Sequence, residues 1–191
     1  MILEREDWEE PGCCFRPDTA AHEVHPGEGH YPIMEAIEEY DRLIAMDAAK
    51  EAGEHLERCL KQFEAAGDWG AQSTILNEMM GFYRNQGEEQ KGLESVKKGI
   101  ALVQEHRMAD WASGGTTFLN AGTTLKAFGR AKEALPYYEQ TMRAYGQSLD
   151  PGDYRFGGLF NNMALAFEDL GEYPRAEAYY RKAMDIMERL K

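Results

Sequence analysis

The stretch FNNMALAFEDLGEYPRAEAYYRKA, Phe160 to Ala183, decides the fold. Phe160, Ala164 and Phe167 are spaced four and three apart, which places them on one face of a helix. Gly171 follows, and a glycine there ends a helix by adopting the left-handed conformation. Ala176, Tyr180 and Ala183 then repeat the four-and-three spacing on a second helix. Pro174 stands near the start of that helix, where a missing amide costs nothing. The segment reads as two antiparallel helices joined by a tight turn.

The pattern recurs upstream at a step of 42 residues. Gly129 and Gly87 stand for Gly171; Ala134 and Gly92 for Ala176; Tyr138 and Val96 for Tyr180; Thr141 and Gly99 for Ala183. On the first helix Phe118 and Leu76 replace Phe160, Gly122 and Met80 replace Ala164, and Leu125 and Tyr83 replace Phe167. The spacing predicts first helices near 71–86, 113–128 and 156–170, and second helices near 88–106, 131–147 and 173–190. Asp68, Asp110 and Asp153 lie where helix N-caps are needed. A further, degenerate unit precedes these. Ala36, Tyr40 and Leu43 imitate a first helix, Ala52, Leu56 and Cys59 a second, and Asp47 replaces the turn glycine. A hairpin of this size cannot bury its apolar face alone, so neighbours must stack.

These residues resemble the tetratricopeptide repeat, and the 42-residue step with its Asn161-Asn162-x-Ala164 opening resembles the kinesin-light-chain-like subgroup. The resemblance covers residues 71–191 well and 31–66 poorly. Gly92, Gly99 and Thr141 depart from the usual alanines, and each Gly weakens a helix by about 1 kcal/mol relative to Ala. The expected fold is an all-α, right-handed α-α superhelix of about four hairpins. Residues 1–30 form an N-terminal arm rich in Pro and Gly, and 31–191 form the repeat domain, with units near 31–66, 71–107, 113–148 and 156–191.

The resemblance implies a non-catalytic scaffold that holds a protein or peptide segment in a concave groove lined by first helices. The candidate groove residues are Asn77, Arg84, Thr116, Asn120, Thr123, Lys126, Asn161, Asn162 and Leu165. An asparagine amide can pair with both backbone groups of an extended chain. The alternative is that Asn120 and Asn162 cap turns or bond across the helix pair. Arg84 and Lys126 occupy equivalent positions and suit a carboxylate; Glu168 follows one step later, so the groove changes sign along its length.

Charge narrows the partner classes. The chain of 191 residues carries 21 Lys and Arg against 34 Asp and Glu, a net charge of -13. Such a surface disfavours nucleic acid and anionic membranes, both of which recruit basic residues. No apolar run reaches the roughly 18 residues of a spanning helix, and the N-terminus is acidic where a secretory signal is basic. A cytoplasmic location is expected.

Three cysteines give no disulfide framework. Cys13, Cys14, His22, His25 and His30 crowd the arm as weak metal-ligand candidates, although their spacing matches no common zinc module. Cys59 is expected in the packing. No cofactor is expected. His55 and His106 have no Ser or Cys placed beside them by sequence, and Gly114-Gly115 and Gly157-Gly158 lack the Lys-Ser or Lys-Thr of a phosphate loop. An enzyme is not expected.

The last helix spreads apolar residues round more than one face. Tyr179, Ile186 and Met187 are the candidates for self-association through a C-terminal homodimer, unless the native chain continues past Lys191. Two other readings remain open. One is a self-assembly module whose groove holds its own N-terminal arm; the other is a sensor that responds to a peptide.

Overall fold

The structure is a computed structural model and describes residues 33–189. The described residues form eight helices: α1 (Ile33–Ala45), α2 (Ala49–Ala66), α3 (Trp69–Gln86), α4 (Glu89–Glu105), α5 (Ala112–Ala127), α6 (Ala131–Ser148), α7 (Tyr154–Asp169) and α8 (Tyr173–Arg189). They pack as successive antiparallel pairs in an all-α repeat superhelix. The expected helices fall within about two residues of those observed.

Each pair closes through one left-handed residue. Gly87 has φ 70°; its amide donates to the Arg84 carbonyl at 3.2 Å, and the Glu88 amide reaches the Tyr83 carbonyl at 2.9 Å. Those bonds satisfy carbonyls that the helix end leaves open. Asp47 makes the same two bonds without glycine. Its φ is 58°, its amide donates to Ile44 at 3.0 Å, and Ala48 donates to Leu43 at 3.0 Å. The degenerate first unit therefore keeps the turn and lacks only the residue that makes it cheap. Arg107, at φ 54°, ends α4 in the same way.

Curvature follows from which helices touch. First helices of neighbouring pairs meet directly, α3 on α5 and α5 on α7, whereas no comparable contact joins α4 to α6 or α6 to α8. The odd-numbered helices thus form the inner layer. Small residues permit the close approach: a Cβ on Gly122 would lie 2.6 Å from the Tyr138 ring, and one on Gly99 would lie 2.5 Å from Met80 Cε. The glycines that depart from the usual alanines are spaces filled by a neighbour's side chain.

The core has two main parts. Leu56, Phe63, Ile75 and Tyr83 centre the N-terminal one; Tyr138, Tyr145, Leu159 and Phe167 centre the C-terminal one. Smaller groups around Val96 and Val103 join them.

Candidate inner-face site

The inner layer presents the candidate residues unevenly. Asn120 Nδ2 on α5 donates to Asn77 Oδ1 on α3 at 3.1 Å, and Asn77 Nδ2 donates to Thr117 Oγ1 at 3.2 Å. Both asparagines are buried. Their amides join α3 to α5, the alternative that sequence left open for Asn120. Thr116 and Thr123 are also buried; their hydroxyls donate to the carbonyls one turn earlier, Ala112 at 3.1 Å and Leu119 at 2.8 Å. Asn161, Asn162 and Leu165 on α7 are half-buried, with Asn162 Nδ2 donating to the Gly158 carbonyl at 3.0 Å. Arg84 and Lys126 are half-buried, and Glu168 is exposed and accepts from the Tyr180 hydroxyl at 2.7 Å.

The register explains the division. Asn120 and Asn162 share one repeat position, and the residue one 42-residue step before Asn120 is Glu78, not Asn77. Glu78 is the inner-face residue that reading asparagines by type misses; the repeat step alone would have found it. It is half-buried and makes no hydrogen bond or ion pair among the described residues. Burial, and secondarily the Asp41 carboxylate on α1, push its pKa from the ordinary 4.5 up to about 7. The first helices therefore carry a poorly solvated carboxyl and a cation on α3, a second cation on α5 and asparagines on α7.

Self-association candidates also separate. Ile186 is buried among the α7 and α8 contacts, within 3.4 Å of the Gly157 Cβ position. It faces inward, contrary to its expected place on an outer face, because Gly157 leaves room for it. Tyr179 is half-buried and stacks on Phe167 with ring centroids 5.5 Å apart. Met187 is 42% exposed, as are Met184 at 55% and Tyr173 at 67%.

Sequence placed no cysteine beside His55, yet the structure brings Cys59 Sγ to 3.4 Å from His55 Nε2. That nitrogen also lies 2.8 Å from the Ala36 carbonyl, so it carries a proton and donates there. Burial raises the Cys59 thiol pKa. A protonated ring nitrogen and a buried thiol hold the helices together and offer no activated nucleophile. Cys13, Cys14, His22, His25 and His30 lie outside the described residues, as does the arm. Among the described residues no group of three or more His, Cys, Asp or Glu is arranged to hold a metal, and no helix is long and apolar enough to cross a membrane.

Comparison with known proteins agrees with this geometry. A tetratricopeptide repeat family model matches residues 115–153 and 158–190. No curated protein matches the chain by sequence. Among solved structures, a Podosopora anserina putative kinesin light chain with nearly identical TPR-like repeats is similar at TM-score 0.67 and 16% identity, covering 83% of this chain and 76% of that one. BtubC (BKLC) from P. vanneervenii is similar at TM-score 0.71 and 16% identity, covering 88% and 68%. MamA of MSR-1 is similar at TM-score 0.55 and 18% identity, covering 87% and 83%. At these identities the likeness is one of fold. The matched segments are similar to tetratricopeptide repeats, and the 42-residue step and the stacked hairpins give the chain the helical-repeat fold that these kinesin-light-chain-like structures share.

Proposed function

We propose that the chain is a non-catalytic scaffold that holds a protein or peptide segment along the inner face of its first helices. One observation carries this reading: half-buried polar side chains, Glu78, Arg84, Lys126, Asn161 and Asn162, line a helix layer that no further layer covers among the described residues. The match to tetratricopeptide repeats supports the same role, since such repeats generally mediate protein–protein interaction. Asn161, Asn162 and Leu165 are the primary contact set. Asn77, Asn120, Thr116 and Thr123 shape the layer beneath it.

The test is affinity capture from the source cell, comparing the wild-type chain with an Asn161→Ala, Asn162→Ala, Leu165→Ala variant of unchanged helicity. A partner held by the wild type and lost by the variant supports the inner face. A partner held equally by both sinks it.

A second reading, self-assembly, has its own observation. Tyr145 is buried against Phe156 of the following pair, with ring centroids 5.7 Å apart. The residue one step later, Met187, is 42% exposed, and Tyr173 is 67% exposed where Ala131 is buried. The α8 positions equivalent to those a following pair covers remain apolar and open, which suits docking by a second copy. Sedimentation of the wild type and of a Met184→Glu, Met187→Glu variant decides it: a dimer that the variant dissociates supports the reading, and a wild-type monomer removes it.

A further inference from the structure

The junctions that open α3 and α5 bring three rings together on the rim of the solenoid. Trp69 is the first residue of α3, Trp111 precedes α5, and His106 closes α4. The His106 imidazole lies almost parallel to the Trp69 indole, at 17° with centroids 5.1 Å apart, and Trp111 tilts against Trp69 at 6.2 Å. Trp69 is half-buried and packs on two parts of the core, so the shelf has a rigid base. Trp111 is 50% exposed.

A shelf of this kind has a structural role, but Trp111 exceeds it. An N-cap position favours Ser, Thr, Asp or Asn, whose side chain bonds a free amide. Asp68 does this for α3, accepting from the Ala71 amide at 2.9 Å. Trp111 does nothing comparable for α5, makes no hydrogen bond through its indole N–H among the described residues, and leaves half of its surface in solvent.

The chain's use of its own cations sharpens the contrast. Lys91 lies over Tyr83 at 5.0 Å, Arg155 over Tyr154 at 5.8 Å, Arg175 over Phe167 at 3.9 Å, and Lys182 over Phe160 and Tyr179 at 5.6 and 4.7 Å. Indole is the best cation acceptor of the three aromatic types. Among the described residues neither tryptophan of the shelf carries a cation, although Arg107 is only four residues from Trp111. The neighbours in sequence are acidic: Glu105 beside His106 and Asp110 beside Trp111, both exposed and without an ion pair among the described residues.

From the half-exposed Trp111 indole and the exposed carboxylates next to the shelf in sequence, we infer that the Trp69–His106–Trp111 shelf is a docking surface for an arginine side chain of a partner protein. The guanidinium stacks on Trp111, and Asp110 and Glu105 supply the counter-charge. A planar, weakly hydrated cation suits this surface better than an ammonium, which holds its water more tightly. The surface lies on the rim and does not depend on the inner-face residues.

The experiment uses the whole chain and two synthetic peptides, acetylated and amidated Gly-Arg repeats and the same peptide with citrulline for arginine. Citrulline keeps the shape and the hydrogen-bonding head and removes the charge. Binding is read from the indole N–H resonances, assigned by Trp→Phe substitution. The arginine peptide is expected to shift the Trp111 signal, and the citrulline peptide to leave it in place. Trp111→Leu should weaken arginine-peptide binding roughly two- to five-fold, the range of an exposed cation–π contact. Asp110→Asn, which leaves the ring untouched, should weaken it as well. Tyr173→Leu, at an exposed aromatic elsewhere, should not change it. Equal binding of both peptides, or wild-type affinity in both Trp111→Leu and Asp110→Asn, overturns the assignment.

Discussion

The Asn120 amide donates to Asn77 Oδ1 across the α3–α5 contact at 3.1 Å, and Asn77 in turn donates to Thr117. This chain of buried bonds fixes the rotation of one first helix against the next. Removing either leaves the other's buried polar group short of a partner, which costs about 1–3 kcal/mol. Asn77→Ala and Asn120→Ala should each lower stability in urea by that amount. The double variant should cost less than the sum of the two, because the first substitution has already broken the pair. Strict additivity would show that the two amides act separately.

Glu78 carries a pH signature. Its folded pKa of about 7 lies above the unfolded value near 4.5, so the folded chain holds a proton that the unfolded chain releases between those values. Stability therefore falls as pH rises through this window, and the full penalty applies above pH 7. Glu78→Gln should match the wild type near pH 4 and exceed it at pH 8 by up to about 3 kcal/mol. Thermal melts at both values check the difference. A variant that is equally stabilised at both contradicts the account.

The Tyr138 ring occupies the place of a Gly122 Cβ, 2.6 Å from it. Alanine is the better helix former by about 1 kcal/mol, but at this position it must displace a fully buried aromatic ring. Gly122→Ala should destabilise by about 1–3 kcal/mol, as overpacked cores do. Tyr138→Leu in the same chain should recover part of the loss. A gain in stability from Gly122→Ala alone would show that the α5–α6 crossing is looser than its geometry.

Asp47 holds a left-handed turn without glycine. Asp47→Gly should stabilise by about 0.5–1 kcal/mol, and Asp47→Val should destabilise by about 1 kcal/mol or more, since a branched side chain is disfavoured at positive φ. Urea midpoints of the two variants should bracket that of the wild type.

This turn shows how far the sequence reaches. The substitution of Asp47 for a turn glycine, the 42-residue step and the helix pairs are local or periodic features, and a period needs no knowledge of what packs where. The inner face is harder. Asn77, Asn120 and Asn162 look alike by type, yet Asn77 lies one residue out of register with the other two, and one residue rotates a side chain by about 100° round a helix. Residue type alone does not single out Glu78, because its repeat equivalents are asparagines. On α8, apolar residues surround the helix, so sequence could not tell that Gly157 draws Ile186 inward while Met184 and Tyr173 remain outside. His55 and Cys59 are four residues apart on α2, a spacing that shares a helix face, but their burial against Ala36 is a tertiary fact.

The most direct test of the inner-face claim is site-specific photo-crosslinking in the source cell. A photoreactive phenylalanine analogue replaces Leu165 on the inner face in one chain, and Glu139, which is exposed on α6, in another. The account predicts a discrete crosslinked partner from position 165 and none from position 139. A partner captured only from position 139, or no partner from position 165, contradicts it.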